Sequence, residues 1–261
     1  MNNNIWWGEF TFELGEQKCW SVGERAILLK RDVAEWNTWN IESKEVDQDI
    51  VVSDGVNLTV DDTTIVGRFL EKNTSEKIKV SPLLADRTVI ARPSSPLTIL
   101  AGEKIQLYIS TPIWFYAETF PNGKCLVDLP FWRPSDSWFG SSTIDGQLCY
   151  AKYTSAKTKI DELELHPHKA TTPIMVINSH NKELTINRIN VPVNHLNLYS
   201  DEQNQLWTSR ITIEIEDEST DVELIIDKKV SAEFEPLTFI SSPRISSEHG
   251  RLIRRISNLF G

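Results

Sequence analysis

The residues best equipped for chemistry lie in one segment, Leu129-Pro130-Phe131-Trp132-Arg133-Pro134-Ser135-Asp136-Ser137-Trp138-Phe139-Gly140. Trp132 and Trp138 offer flat apolar faces on which a sugar ring or a peptide can stack. Arg133 and Asp136 offer charge-assisted hydrogen bonds to fix its polar groups. The same residues also suit a structural loop at the end of a β-sandwich. There the indoles plug the core, Asp136 bonds backbone amides and Arg133 pairs with it. The structural use is the simpler reading, and ligand binding by Trp132, Arg133, Asp136 and Trp138 stands beside it.

Other candidates carry less. His166-Pro167-His168 invites a metal, but two histidines one residue apart point to opposite sides of an extended chain, and no nearby Cys or Asp completes a tetrahedral set. Asp61-Asp62 and the acidic stretch Glu214 to Glu218 lack the ligand spacing of a calcium loop. There is no Gly-x-Ser-x-Gly elbow, no His-Glu-x-x-His and no glycine-rich phosphate loop. No catalytic residue, metal or cofactor is assigned, and the balance leans away from an enzyme.

The elements that position these residues have period two. Glu9 to Leu14 alternates, Gly15-Glu16 turns, Cys19 to Val22 resumes, and Gly23-Glu24 leads into Ala26 to Leu29. Trp36 and Trp39 follow in what reads as another strand, so the start of the chain predicts a meander. Further strands are expected at Val56–Val60, Ile78–Leu84, Thr88–Ala91 and Leu97–Leu100. The stretch Lys104 to Ser110 runs past Pro112, a bend signal, into the apolar Ile113 to Ala117. Asn122-Gly123 and Asp145-Gly146 are hairpin turns. Beyond Pro173, strands are expected at Ile174–Ile177, Leu184–Val191, Leu196–Tyr199, Arg210–Ile215 and Val222–Ile226.

One segment has helical period. Over Ser247–Phe260, the side chains of Leu252, Ile253, Ile256, Leu259 and Phe260 gather on one face and Arg251, Arg254 and Arg255 on the other. This predicts a C-terminal amphipathic helix that docks on protein. Membrane contact through it is the less favoured alternative. The expected architecture is therefore all-β, with two β-sandwich-like domains and that helix. The N-terminal β domain covers 1–158, a linker 159–172, the second domain 173–239, and a spacer with the helix 240–261.

With 261 residues, 40% of them hydrophobic, the chain can build a sizeable core. A formal net charge of −10 argues against nucleic acid, whose phosphates need clustered Lys and Arg. The first residues have no signal-peptide pattern, and no apolar run approaches the ~20 residues that span a bilayer. Cys19, Cys125 and Cys149 read as buried reduced thiols, so a cytoplasmic protein is expected.

Several segments resemble the family known as domain of unknown function 432. They are Ile109-Ser110-Thr111-Pro112-Ile113-Trp114, then Pro134 to Gly140 with Leu148-Cys149-Tyr150-Ala151. The stretch from Val191-Pro192 to Leu206-Trp207-Thr208 and the closing Pro243-Arg244 complete the likeness, which runs from about residue 88 onward. The resemblance implies no activity, cofactor or site residue. The favoured function is a non-catalytic interaction or scaffolding module that binds a protein partner or itself. A carbohydrate-binding module using the Trp-rich loop is the alternative, and an enzyme with an unfamiliar site comes third.

Overall fold

The computed structural model describes residues 5–42, 50–54, 65–93, 95–140, 146–152, 156–216, 221–227, 236–246, 250–255 and 259–260. Strand makes up 59% and helix 3%, so the all-β expectation holds. The first strands are β1 (Gly8–Thr11), β2 (Gln17–Val22), β3 (Arg25–Arg31), β4 (Glu35–Glu42), β5 (Val51–Asp54), β6 (Ile65–Leu70) and β7 (Lys77–Leu84). The middle of the chain gives β8 (Val89–Ala91), β9 (Leu97–Ile99), β10 (Lys104–Phe120), β11 (Cys125–Pro130), β12 (Ser135–Phe139), β13 (Gln147–Lys152) and β14 (Lys169–Asn178). The rest are β15 (Leu184–Ile186), β16 (Ile189–Val191), β17 (Leu198–Ser200), β18 (Leu206–Thr208), β19 (Ile211–Ile215), β20 (Asp221–Ile226), β21 (Thr238–Ser241) and β22 (Arg251–Arg255).

The chain divides into two compact units, each gathered from separated stretches. Unit 1 holds residues 1–83, 113–133 and 166–168, and unit 2 holds 84–112, 134–165 and 169–261. This differs from the consecutive domains expected on either side of 159–172. Lys169 to Thr172, expected in the linker, opens β14, and Ala170 to Thr172 is buried. Strand β10 serves both units. Its first half, to Pro112, pairs with β14, and Trp114 to Glu118 pairs with β11. Proline has no N–H to give a ladder, and the pairing with β14 ends at Pro112.

In unit 1 the expected meander is present. Strands β2, β3 and β4 are neighbours in a five-stranded sheet of order β5-β2-β3-β4-β6. Gly23, at φ 53°, makes the tight turn between β2 and β3 that a side chain would resist. A second layer runs β1-β7-β10-β11. The core between the layers is aromatic. Trp20 meets Phe10 and Phe115 at 5.1 Å each, and Phe12 meets Trp36 at 5.1 Å. Such edge-on pairs add roughly 1 kcal/mol each beyond the area they bury. Arg31, 8% exposed, straps the layers by donating to the carbonyls of Phe12 and Thr74 and to the Thr74 hydroxyl. A buried guanidinium is tolerated because its donors are used.

Unit 2 is built on β14, which pairs antiparallel with β10 and parallel with β18 and β19. From β18 the sheet continues through β17 to β21, and from β19 through β20 to β22. A four-stranded sheet β12-β13-β8-β16 and a pair β9-β15 complete it. The segment expected as one strand over Leu184–Val191 is thus two, in different sheets. Its core is aliphatic: Ile174, Val176, Ile186, Ile189, Val191, Ile211 and Leu224 are at 0% exposure. Asn178, equally buried, donates to the carbonyls of Ile99, Leu100 and Lys182 and accepts from the His180 amide.

The C-terminal helix is overturned. Residues 251–255 form β22, antiparallel to β20, with Leu252 opposite Leu224 and Ile253 opposite Glu223. Gly250, at φ 69°, lies so close to the Ile226 carbonyl that a Cβ there would stand 2.7 Å from it. A φ of 69° is the left-handed region, which a right-handed helix does not pass through, while β20 offers an edge to pair with. An isolated helix of that length would be marginal in water in any case. Of the face assigned to the helix, Leu259 and Phe260 are buried and Ile253 is 75% exposed. Ile256 lies outside the described residues, as do the strand expected at Val56–Val60 and Asp61-Asp62. No helix among the described residues is long and apolar enough to cross a membrane.

Candidate binding groove

The sequence-predicted segment is mostly strand, not loop. Trp132 and Arg133 belong to unit 1, and Asp136 and Trp138 to unit 2. Neither indole plugs a core: Trp132 is 37% and Trp138 48% exposed, whereas their neighbours Phe131 and Phe139 are buried at 2%. For Trp138 and Phe139, neighbours on β12, alternation explains the exchange, since adjacent side chains on a strand take opposite faces.

On β12, Asp136 and Trp138 share a face. Across the ladder, Trp138 is opposite Leu148 and Asp136 opposite Tyr150. Asp136 accepts from Arg87 at 3.0 Å. The Arg87 guanidinium lies 5.3 Å from the Tyr150 ring centre. Gly146 leaves room for the Trp138 indole, which a Cβ at that position would strike. The result is one exposed indole beside a solvated Arg–Asp pair.

In unit 1 the Trp132 ring lies 4.8 Å from His168, which lies 5.4 Å from His166. The two imidazoles are neighbours, not opposed, because Pro167 and His168 form a turn where an extended chain was expected. No group of three or more His, Cys, Asp or Glu among the described residues is placed to hold a metal.

A different feature of unit 1 is a groove of about 470 Å³ between β6 and β11. Trp36, Phe69 and Leu126 give it an apolar wall, and Leu70, 80% exposed, stands at its rim. Trp36 faces Phe69 across the β4–β6 ladder. The Trp36 indole nitrogen is buried and finds no acceptor among the described residues. Lys124 pairs with Glu71 at 2.9 Å and Arg68 with Glu35 at 2.7 Å, so the charges around the groove balance. The Arg68 hydrogen bond, helped by Asn37, lowers the pKa of the Glu35 carboxyl against a small opposing effect of burial. Nearby on β10, burial raises the pKa of the Tyr116 phenol, and its bond to Glu118 at 3.1 Å adds to that. Cys125, expected to be buried, is exposed in the groove, while Cys19 and Cys149 are buried, and none of the three is in a disulfide.

Strand β6 is at the end of its sheet, and among the described residues it pairs with β4 alone. The amide of Glu71 donates to the Ala34 carbonyl at 2.9 Å. Residues 34 and 71 therefore form a hydrogen-bonded pair of the antiparallel ladder. Alternation makes Trp36–Phe69 and Thr38–Gly67 the next such pairs. It follows that Arg68 and Leu70 turn their N–H and C=O groups to the open edge, while the register shift between Thr38 and Trp39 leaves Val66 opposite no residue of β4. Val66, Arg68 and Leu70 are also the exposed residues of β6. Sequence reading missed this strand because its outward row carries Val66 and Leu70, which erases the apolar–polar alternation.

Compared with known protein families, residues 6–260 match the family described as Protein of unknown function (DUF432). No curated protein and no solved structure matches the chain.

Proposed function

We propose a function from the surface of this chain itself, since it belongs to the DUF432 family, whose function is unknown: it is a non-catalytic interaction module that binds polypeptide in extended form. The observation that carries the reading is the edge of β6. Backbone groups of Arg68 and Leu70 that no other described residue pairs lie beside an apolar groove, which is what strand addition requires. Main-chain hydrogen bonds would supply affinity, and the half-buried Phe69 and exposed Leu70 would meet side chains of the guest, backed by the buried Trp36 and Leu126. The balanced charges of Arg68, Glu35, Lys124 and Glu71 favour an uncharged segment. Three cysteines outside any disulfide support a reducing compartment, hence a cytoplasmic site of action.

A carbohydrate-binding reading rests on Trp138 with Asp136 and Arg87. A sugar platform gains from two or three wet aromatics, and within unit 2 this face offers one, because Tyr150 is 4% exposed. The two readings separate on an immobilised panel of uncharged eight-residue peptides alongside a glycan panel. Peptide binding that falls at least about tenfold in Leu70→Asp is expected, as a charge placed in an apolar contact costs that much or more. Glycan binding abolished by Trp138→Ala, with no peptide bound, would overturn the proposal.

A further inference from the structure

We infer that Val66 sets the length of guest that the β6 edge accepts. It is an extra residue in the strand, a β-bulge that ends the even edge at Arg68 and limits the guest to about five residues. The inference rests on the edge-binding reading above and adds its length limit.

From Leu70 back to Gly67 each residue of β6 has one partner on β4, ending with Thr38 opposite Gly67. The next pair is Trp39 with Ile65, so β4 advances by one residue while β6 advances by two. Val66 is the residue left over, and it is 54% exposed. Beyond it Ile65 is back in step, packed against the cluster that holds Trp39, Leu28, Cys19 and Ala26. Gly67 fixes the place of the irregularity. A Cβ there would come within 2.6 Å of the Phe69 ring and 2.8 Å of the Thr38 hydroxyl, which donates to the Gly67 carbonyl at 3.3 Å. A glycine inside a strand marks such a site, where close approach leaves no room for a side chain.

A guest strand needs outward backbone groups at every second residue. Leu70 and Arg68 meet that spacing and together offer two N–H and two C=O groups. At the next step the extra residue breaks the count, and a bulge also bends and twists its strand. A regular guest in register with Leu70 and Arg68 therefore parts from β6 beyond them. Three guest residues span the two bonding positions, and one more at each end keeps the termini clear, about five in all. The same feature guards the edge, since a long, even, open strand is a template for unwanted pairing and a bulge blunts it.

Deletion of Val66 tests the count. It leaves Thr38 opposite Gly67 and Trp39 opposite Ile65, and it makes the alternation regular, with Ile65 as the third outward residue. The measurement is the affinity of the full chain for uncharged, end-capped peptides of increasing length. With the unaltered chain, affinity should rise up to about five residues and then level. In the deletion variant it should go on rising to about seven, where one further pair of hydrogen bonds makes binding roughly fivefold tighter or more than in the parent. Val66→Ala keeps the residue count and changes only the side chain, so its limit should match the parent's. A limit that moves in Val66→Ala and stays put in the deletion would overturn the inference. Amide exchange on the unaltered chain carries the test if the deletion variant does not fold. Bound peptide should slow exchange at Arg68 and Leu70 and leave Val66 and Ile65 as they were, and protection running through all four would refute the limit. Peptides that bind the unaltered chain with no levelling end the length limit alone and leave the groove reading standing. A chain that binds no peptide of any length ends both.

Discussion

The largest fully buried side chains of unit 1 are Trp6, Trp20, Trp36, Phe12, Phe115 and Phe131, together with aliphatic residues of β3. Those of unit 2 are aliphatic, with Leu107 and Ile109 the bulkiest. Seven of the nine tryptophans belong to unit 1, which holds fewer than half of the residues. A core of a few large rings concentrates its stability in single positions, and a core of many small branched side chains spreads it. The difference teaches where each unit tolerates change. It also accounts for part of the Trp-rich composition, since Trp6, Trp20 and Trp36 fill the space between two layers.

Trp20→Ala should have the largest effect. The ring is at 0% exposure, contacts Phe10 and Phe115, and donates to the Trp6 carbonyl at 3.0 Å. A loss of about 4 kcal/mol is expected from truncation of a fully buried aromatic, read as a fall in the urea midpoint. Ile189→Val in unit 2 should cost about 1 kcal/mol, because one methylene is removed from a core that shares its contacts widely. Similar losses from the two substitutions would break the comparison.

The smallest effect is one of pH. Burial raises the Cys149 thiol above its ordinary pKa, against weaker opposing effects of Arg188 and of the Ser137 side chain. A group with a raised folded pKa loses its proton first in the unfolded chain. As pH climbs past the ordinary thiol range near ~8.5, the unfolded state is therefore favoured and stability declines. Below that range the thiol adds no slope. Cys149→Ala should flatten the decline in the denaturation midpoint above about pH 8.5, and an unchanged slope would remove the assignment.

Period two made the meander of β2, β3 and β4 legible, as well as the β10–β11 hairpin at Asn122-Gly123, because those strands bury one face or carry a turn signal. The same logic failed where chemistry and face diverge. Five residues, Arg251 to Arg255, are too few to separate a period of 2 from one of 3.6. The deciding fact, the pairing of these residues with β20, is long-range. Polar composition suggested a linker through 159–172, yet Ala170 to Thr172 pairs with β10 and is buried through partners far away in sequence. Aromatic density located Trp132 and Trp138 but could not say that Phe131 and Phe139 take the inward positions. The groove was illegible for a related reason: β6 has apolar residues on both faces, and β11 meets it only in three dimensions.

The scattered assembly of unit 1 also sets an order in time. A ribosome delivers β2, β3, β4 and β6 by residue 70, but the strand half that covers their aromatic face begins at Ile113 and β11 ends at Pro130. At ~5–20 residues per second, the wait lasts several seconds. Throughout it Trp20 and Trp36 stand in a sheet whose second layer has at most β1 and β7, still without Phe115 and Phe131 to complete the core. The interval in which this chain is most at risk of aggregation is therefore written into its topology, before any mutation or stress is applied.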